Sequence, residues 1–471
     1  MTKSKRTCLF LGPALFLLSL IPYGGLAQNV RLALGTVLWM GVWWVGMPVS
    51  PAITAFLPVA VNAIFSLSGM SSIISAYSAE LIFLLAGANI ITMAWESTSV
   101  DKRIAARALS VVGTSVKQQV VIWFLLSTIL SAFLPNTVVA AVLCSIAMSM
   151  LKFVGEGRVE KSGAASLVLM SIVWGANNGG MLTPLGGAMN LVTVNYIENL
   201  IEKEFIYTDW VVHMLPFGIL VTLLTLGALL LYKVEKKDLD GSREYFHELT
   251  AELGGMSRAG KISLWLFIVA ALLAFTRQFY QNWLPDFKPG FVFLTLSLVV
   301  FFIKDDEGKH IVTWEKAEQN MMWGLFFLFA GGTALGNLVN GSGAADVFAE
   351  MISGLTIRND FLLILIIVTL NVVLSDVINN TACAAVTIPI ISSIVRGLGL
   401  PVFPYLWIAT VSYNLSYTLP TSIRAIPIGY GLQPAYMFKK GLVLTLVMIL
   451  SVSGLGWLLV HYWPAFGTLT L

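Results

Sequence analysis

The feature that most limits this chain is a polar motif that occurs twice inside apolar sequence. From Ser131 the chain reads S-A-F-L-P-N-T-V-V-A-A, and from Ser375 it reads S-D-V-I-N-N-T-A-C-A-A, so that Ser, Asn, Thr and the closing Ala pair recur 244 positions apart. The same separation of 244 brings F-L-L-A-G (Phe83 to Gly87) onto F-L-F-A-G (Phe327 to Gly331). Two matches at one separation imply two structural repeats. An Asn-Thr pair among hydrocarbon side chains is tolerated in lipid only where it faces protein, water or a ligand. The pairs therefore point to a binding site inside a membrane.

The rest of the composition agrees. Of 471 residues 57% are hydrophobic and 11% charged, and the mean hydropathy is +0.83, outside the range of soluble globular chains. Apolar runs approach the roughly 20 residues of helix that cross a bilayer core. In such a chain the net charge of +3 reports orientation and gives no reason to expect a nucleic-acid partner. Cys8, Cys144 and Cys383 show neither metal nor disulfide spacing, and the four scattered histidines form no HExxH pair, which argues against a zinc hydrolase. The start, M-T-K-S-K-R followed by an apolar run through Leu26 with no A-x-A site, reads as a first span with a basic cytoplasmic flank, not as a signal peptide.

Taken in order, the chain predicts an all-α integral membrane protein with about 11 transmembrane helices and two re-entrant hairpins. Spans are expected at 9–26, 30–47 and 80–95, with a segment at 48–70 interrupted by Pro48, Pro51 and Pro58. The polar stretch from Glu96 to Arg107 suits an amphipathic helix at the interface. Residues 117–152 carry the first Asn-Thr pair at their middle; their arms look too short for two full spans, so a hairpin with its tip at Pro135-Asn136-Thr137 is expected. A helix over 163–200 should break within W174-G-A-N-N-G-G-M-L-T-P-L-G-G-A-M-N190, which is poor in helix formers; alternatively, its glycines and asparagines serve helix packing and cross-helix hydrogen bonds. After a span at 208–232, the charged segment 233–260 reads as a solvated cytoplasmic linker helix.

The second half repeats the plan with spans at 261–280, 289–304 and 321–340, then an interfacial stretch. A hairpin at 360–397 with its tip at Asn379-Asn380-Thr381, a broken helix at 403–435 and a last span at 438–462 follow. Residues 1–232 and 261–471 thus form two repeats. With the N-terminus and linker cytoplasmic and the C-terminus outside, they enter the membrane with opposite polarity, an inverted repeat.

The hairpin tips and helix breaks offer Asn136, Thr137, Asn380, Thr381, Thr421 and Ser422 together with unpaired backbone groups. Broken helix ends turn N–H groups and partial positive charge toward a site, which suits carboxylates, while exposed carbonyls suit a sodium ion. There is no nucleophile or acid–base pair, so no enzyme is expected; an ion channel or proton-driven antiporter is the weaker alternative, because Asp376 is the lone carboxylate of the motif regions. Arg424 keeps its charge in any protein and is expensive in lipid. It could grip a substrate carboxylate through paired hydrogen bonds, stand where a cation would otherwise bind, or pair structurally with Asp376. Asp376 has Ala132 as its counterpart in the first repeat.

These residues resemble the divalent anion:sodium symporter family, transporters of di- and tricarboxylates, whose pattern is a Ser-Asn-Thr triplet at each hairpin tip and a glycine- and proline-rich helix break after each. Here the triplets stand as Pro135-Asn136-Thr137 and Asn379-Asn380-Thr381, and the resemblance covers nearly the whole chain. It implies an elevator mechanism, a scaffold built from the first spans of each half, a homodimer, and location in the plasma (inner) membrane. It also implies substrate contacts from Asn136, Thr137, Asn380 and Thr381 with Gly186, Gly187 and Thr421; Asn379, Ser422 and Arg424 are further candidates from their own place at the second tip and break. One sodium site would be formed by Ser131, Asn136 and the Gly186 carbonyl, the other by Ser375, Asn380 and the Pro420 carbonyl. The chain departs from the pattern in three places. Pro135 and Asn379 replace the serines, Ala188 and Met189 replace the prolines of the first break, and Arg424 stands where asparagine is common. A fixed guanidinium at a sodium site repels the ion, so the expectation is exchange of small di- or tricarboxylates, with sodium-coupled symport as the alternative. No cofactor is expected beyond that optional sodium ion.

Overall fold

The structure, a computed structural model, describes residues 3–22, 25–344, 347 and 359–469. The interfacial stretch expected between 340 and 360 lies mostly outside them. Long apolar runs without interior breakers form helices, and among the described residues the only extended pairings are two isolated bridges, Ser115 with Asp238 and Lys304 with His310. By length and composition seven helices can cross a bilayer: Met70–Thr98, Asn136–Phe153, Tyr207–Leu231, Arg258–Phe275, Trp323–Gly341, Asp360–Val377 and Pro434–Tyr462.

Each expected hairpin is a pair of helices, Val116–Ser131 with Asn136–Phe153 and Asp360–Val377 with Asn380–Gly397. The pairs begin 244 positions apart, and their second helices both begin and end 244 apart. The arms, 16 to 18 residues long, reach roughly 24–27 Å. Asn136–Phe153 and Asp360–Val377 are long and apolar enough to cross a bilayer, more than the sequence suggested for such arms, whereas Val116–Ser131 is among the shorter apolar helices. The base of the first hairpin sits on the linker, where the Val116 N–H donates to the Lys237 carbonyl at 2.8 Å. Helix Pro434–Tyr462 starts on that same side, with Gln433 Nε2 donating to the Glu160 carbonyl at 3.2 Å. It runs for 29 residues, about 43 Å. At its far end His461 Nε2 lies 3.6 Å from Asp360 Oδ2, at the base of the second hairpin. The two hairpins thus project inward from opposite ends of one long helix.

The first broken helix consists of Gly163–Gly180 and Ala188–Ile201, joined through a short 3-10 turn at Pro184–Gly186. The second is asymmetric: Val402–Ser412 is followed after its break only by the turns Ser422–Arg424 and Ala425–Gly429. Proline at 420 and 427 and the return to helix at Pro434 leave no room for a long second half. The repeated F-L-x-A-G segments are packing seams. A side chain at Gly87 would come within 2.4 Å of the Phe293 carbonyl carbon, and one at Gly331 within 2.5 Å of Ala55 Cα.

The linker is less solvated than its charge suggests. Its helix Ser242–Leu253 packs on Val100–Ser110, burying Leu239 and Phe246, and Arg103 Nη2 donates to the Leu253 carbonyl at 2.9 Å. Val100–Ser110 is amphipathic as expected, with Val100, Ala105, Ala106 and Leu109 buried on one face.

Candidate substrate and cation sites

Both hairpin tips reach one cavity of about 350 Å³. Pro135, Asn136 and Thr137 come from the first tip, Asn379, Asn380 and Thr381 from the second, Gly187, Ala188 and Met189 from the first helix break, and Ser422 from the second. From the tips and the first break three helices begin at this cavity, at Asn136, Ala188 and Asn380, and Trp323–Gly341 begins on its opposite wall. Each brings unpaired first-turn N–H groups and the positive end of its dipole. Asn379 spends its side chain on one of these, accepting from the Ala382 N–H at 2.8 Å, an N-cap that explains why asparagine serves there. Among the described lining residues none is charged. The arrangement is that of an anion pocket made from amides, hydroxyls and backbone. Ser422 sits at its rim with φ of 54°, in the left-handed region that non-glycine residues rarely occupy.

The opposite wall is formed by Ser50, Pro51 and Ala52 and by Met322, Gly324, Leu325 and Leu328. None of these is among the site residues expected from sequence. The prolines at 48–58 mark the first group as a break, but the second is ordinary apolar helix and carries no signal.

Three expected substrate residues lie off the cavity. Gly186 is buried behind it, and the Thr421 hydroxyl donates to the Asp376 carbonyl at 2.8 Å. Arg424 is fully buried. Its Nε donates to the Leu419 carbonyl at 2.6 Å, Nη1 to Ser416 O at 3.2 Å, and Nη2 to Thr421 Oγ1 at 2.5 Å and to the Ser375 and Asp376 carbonyls at 3.4 Å each. Asp376 Oδ1 lies 3.4 Å from Nη2, while Oδ2 accepts from Thr418 Oγ1 at 2.5 Å. With its donors turned to protein oxygens, Arg424 does not present a fork to the cavity. Of the residues expected at the second sodium position, it reaches the carbonyl of Ser375. Ser375 Oγ is itself bonded to Ser416 Oγ at 2.8 Å.

The first cation position is different. Ser131 Oγ is buried without a hydrogen-bond partner. The carbonyl of Ser131 lies 2.8 Å from the point where a Gly186 side chain would begin, and Asn136 Nδ2 and the Gly186 carbonyl each lie 3.4 Å from that point on Gly180. Ser131, Asn136, Gly180 and Gly186 therefore converge, with the amide nitrogen of Asn136 on the Gly180 side, and the Ser131 hydroxyl and the Ser131, Gly180 and Gly186 carbonyls are oxygens of the kind a sodium ion takes. The asparagines of the first break tie the halves together, as the packing alternative expects. Asn177 Nδ2 donates to the Asn414 carbonyl, Asn177 Oδ1 accepts from Asn380 Nδ2 at 3.3 Å, and Asn190 Nδ2 donates to the Gly180 and Thr183 carbonyls at 2.6 and 2.8 Å.

Comparison with known proteins gives this geometry a family. A model of the citrate transporter family, CitMHS, matches residues 41–412. The sodium-dependent dicarboxylate transporter SdcS of Staphylococcus saprophyticus is 25% identical over 463 residues, covering 94% of this chain and 88% of its own. Its namesake in Staphylococcus aureus is 25% identical over 446 residues, covering 90% and 85%. Among solved structures, the YdaH transporter of Alcanivorax borkumensis shares the fold with a TM-score of 0.54 at 13% identity, over 98% of this chain and 99% of that one. The chain thus belongs to the citrate transporter family and is a multi-pass membrane transporter of carboxylates of the divalent anion:sodium symporter kind, not an enzyme.

Proposed function

We propose that the protein exchanges small di- or tricarboxylates of the succinate, malate, fumarate and 2-oxoglutarate type by an elevator movement. The observation that carries this reading is the convergence of three helix N-termini and both Asn-Thr pairs on one cavity without charged walls. One carboxylate of the cargo is held by Asn136, Thr137 and the N–H groups beside them, the other by Asn380 and Thr381, with Gly187 and Ser422 closing the rim. The two hairpins and two helix breaks form the moving body. Its partner surface, Ser50–Ala52 and Met322–Leu328, belongs to the scaffold, so the cargo lies at the seam between them. The hairpins enter from opposite ends, consistent with inverted repeats at 1–232 and 261–471 joined by 233–260. The scaffold is taken to form a homodimer in the plasma membrane, with the N-terminus and linker cytoplasmic.

Arg424 favours exchange. A guanidinium cannot leave its site on one side and rebind on the other, so it draws nothing from a sodium gradient. An empty carrier would turn the N–H groups of three helix ends toward an apolar seam without an acceptor, which is costly. A loaded carrier avoids this in both directions, and the cycle runs fastest with cargo each way. A second reading, symport with sodium at the first position alone, is favoured by the unpartnered hydroxyl of Ser131. Proteoliposomes loaded with unlabelled malate and offered labelled malate distinguish the two. Exchange gives rapid counterflow in sodium-free buffer; strict dependence on sodium and indifference to internal malate would overturn it.

A further inference from the structure

Away from the substrate cavity, two further cavities meet along helices Trp323–Gly341 and Asn380–Gly397, the first walled also by Gln28–Gly46 and the second by Ala188–Ile201. One is an apolar crevice of about 320 Å³ walled by residues such as Leu34, Leu38, Leu335, Val339 and Ile390. The other is a recess of about 170 Å³ that carries Asn199, Asn337, Asn340 and Arg396. They share Gly336, Ala385 and Pro389. The result is one groove, hydrocarbon at one end and hydrogen-bonding with a cation at the other.

The groove opens outward. Leu38 on its apolar wall is 52% exposed, and on a membrane helix that exposure is to acyl chains. Arg396 is exposed in the last turn of its helix, and among the described residues it forms no ion pair. Ala385 and Arg396 are 11 residues apart, about 16 Å along the helix. That is close to the depth of one leaflet, half of a hydrocarbon core roughly 30 Å thick. A small soluble anion would leave the crevice unfilled, and a purely apolar molecule would leave the arginine and the amides of Asn199 and Asn340 unused; Asn337 already donates to the Ser72 carbonyl at 2.7 Å. A ligand that suits both ends is an amphiphile with a negative head.

We infer that this groove binds one anionic phospholipid, its phosphate on Arg396 and the neighbouring asparagine amides and one acyl chain in the crevice. The lipid lies between a hairpin arm and the helices Gln28–Gly46 and Trp323–Gly341. Gly336 faces the shared part of the groove, where an added side chain would meet nothing within 4 Å. A leucine there enters the chain's place, its first side-chain carbon free of protein atoms.

The full chain, purified from nanodiscs containing equal phosphatidylcholine and phosphatidylglycerol, is examined by native mass spectrometry for retained lipid. Wild type should keep one phosphatidylglycerol per chain. Arg396→Gln should lower that occupancy about fivefold, the effect of one basic residue at an anionic headgroup, Arg396→Lys should restore most of it, and Gly336→Leu should abolish it. All variants should unfold cooperatively at the wild-type temperature in detergent, which separates loss of the lipid from loss of the fold. Equal retention by wild type, Arg396→Gln and Gly336→Leu would overturn the inference. So would wild-type retention of phosphatidylcholine as strong as that of phosphatidylglycerol, or displacement of the lipid by inorganic phosphate alone.

Discussion

Replacing Arg424 by alanine probes whether a guanidinium has taken over a cation's place. In the wild type this side chain reaches the Leu419 and Ser416 carbonyls at 2.6 and 3.2 Å, Thr421 Oγ1 at 2.5 Å and the Asp376 carboxylate at 3.4 Å, all out of solvent. Truncation leaves Asp376 buried without its counter-charge, which costs about 3–5 kcal/mol. The same truncation opens an oxygen-lined space that sodium can enter. At ten times its dissociation constant sodium would return about 1.4 kcal/mol, so it offsets the loss only in part. The assay is thermal unfolding in detergent with sodium chloride exchanged for potassium chloride at constant ionic strength. Arg424→Ala should melt well below wild type in potassium and climb more steeply with sodium than wild type does. The double variant Arg424→Ala with Asp376→Asn should recover most of the lost stability but not the added sodium response. Equal melting of Arg424→Ala and wild type in potassium, or identical action of the two salts on the variant, would refute the assignment.

Asn136→Ala and Asn380→Ala should each weaken succinate binding about ten- to a hundredfold, from the loss of one hydrogen bond to a charged group worth about 1.5–3 kcal/mol; an unchanged calorimetric Kd would remove the tips from the site. Ser131→Ala deletes a hydroxyl that bonds to nothing in the protein, so it should cost little stability in potassium while abolishing the wild type's own sodium response. Retention of that response would exclude Ser131 as a ligand. Gly331→Val forces a side chain into the 2.5 Å approach to Ala55 and should destabilise by about 1–3 kcal/mol, read as a lowered melting temperature; an unshifted midpoint would mean the seam has slack.

Much of the plan was legible because polar residues in lipid have few excuses. The tips at Asn136-Thr137 and Asn380-Thr381 interrupt apolar sequence, and the structure places both on one cavity. Arg424 was conspicuous for the same reason, yet its aim was not readable. Sequence shows that a charge must be satisfied, whereas the backbone carbonyls that satisfy it belong to a break whose path no periodicity dictates. Met322, Leu325 and Leu328 were invisible because apolar helix faces look alike whether they meet lipid, protein or cargo. Phe246 and Leu239 were lost among the charges of the linker, where two apolar residues suffice to dock a short helix. The truncated second half of the later break was hidden as well: Pro427 and Pro434 lie in a stretch whose apolar content alone resembles a span.

The matched helix boundaries of the two hairpins, at 116 and 360, 136 and 380, and 153 and 397, make each arm a gauge. A residue inserted upstream of Asn136 advances that asparagine by about 1.5 Å and swings it about 100° around the helix axis. Point substitutions within the arms alter packing by degrees, but a change of length misdirects the tip altogether. The halves are therefore free to diverge in composition while holding the same count from base to point.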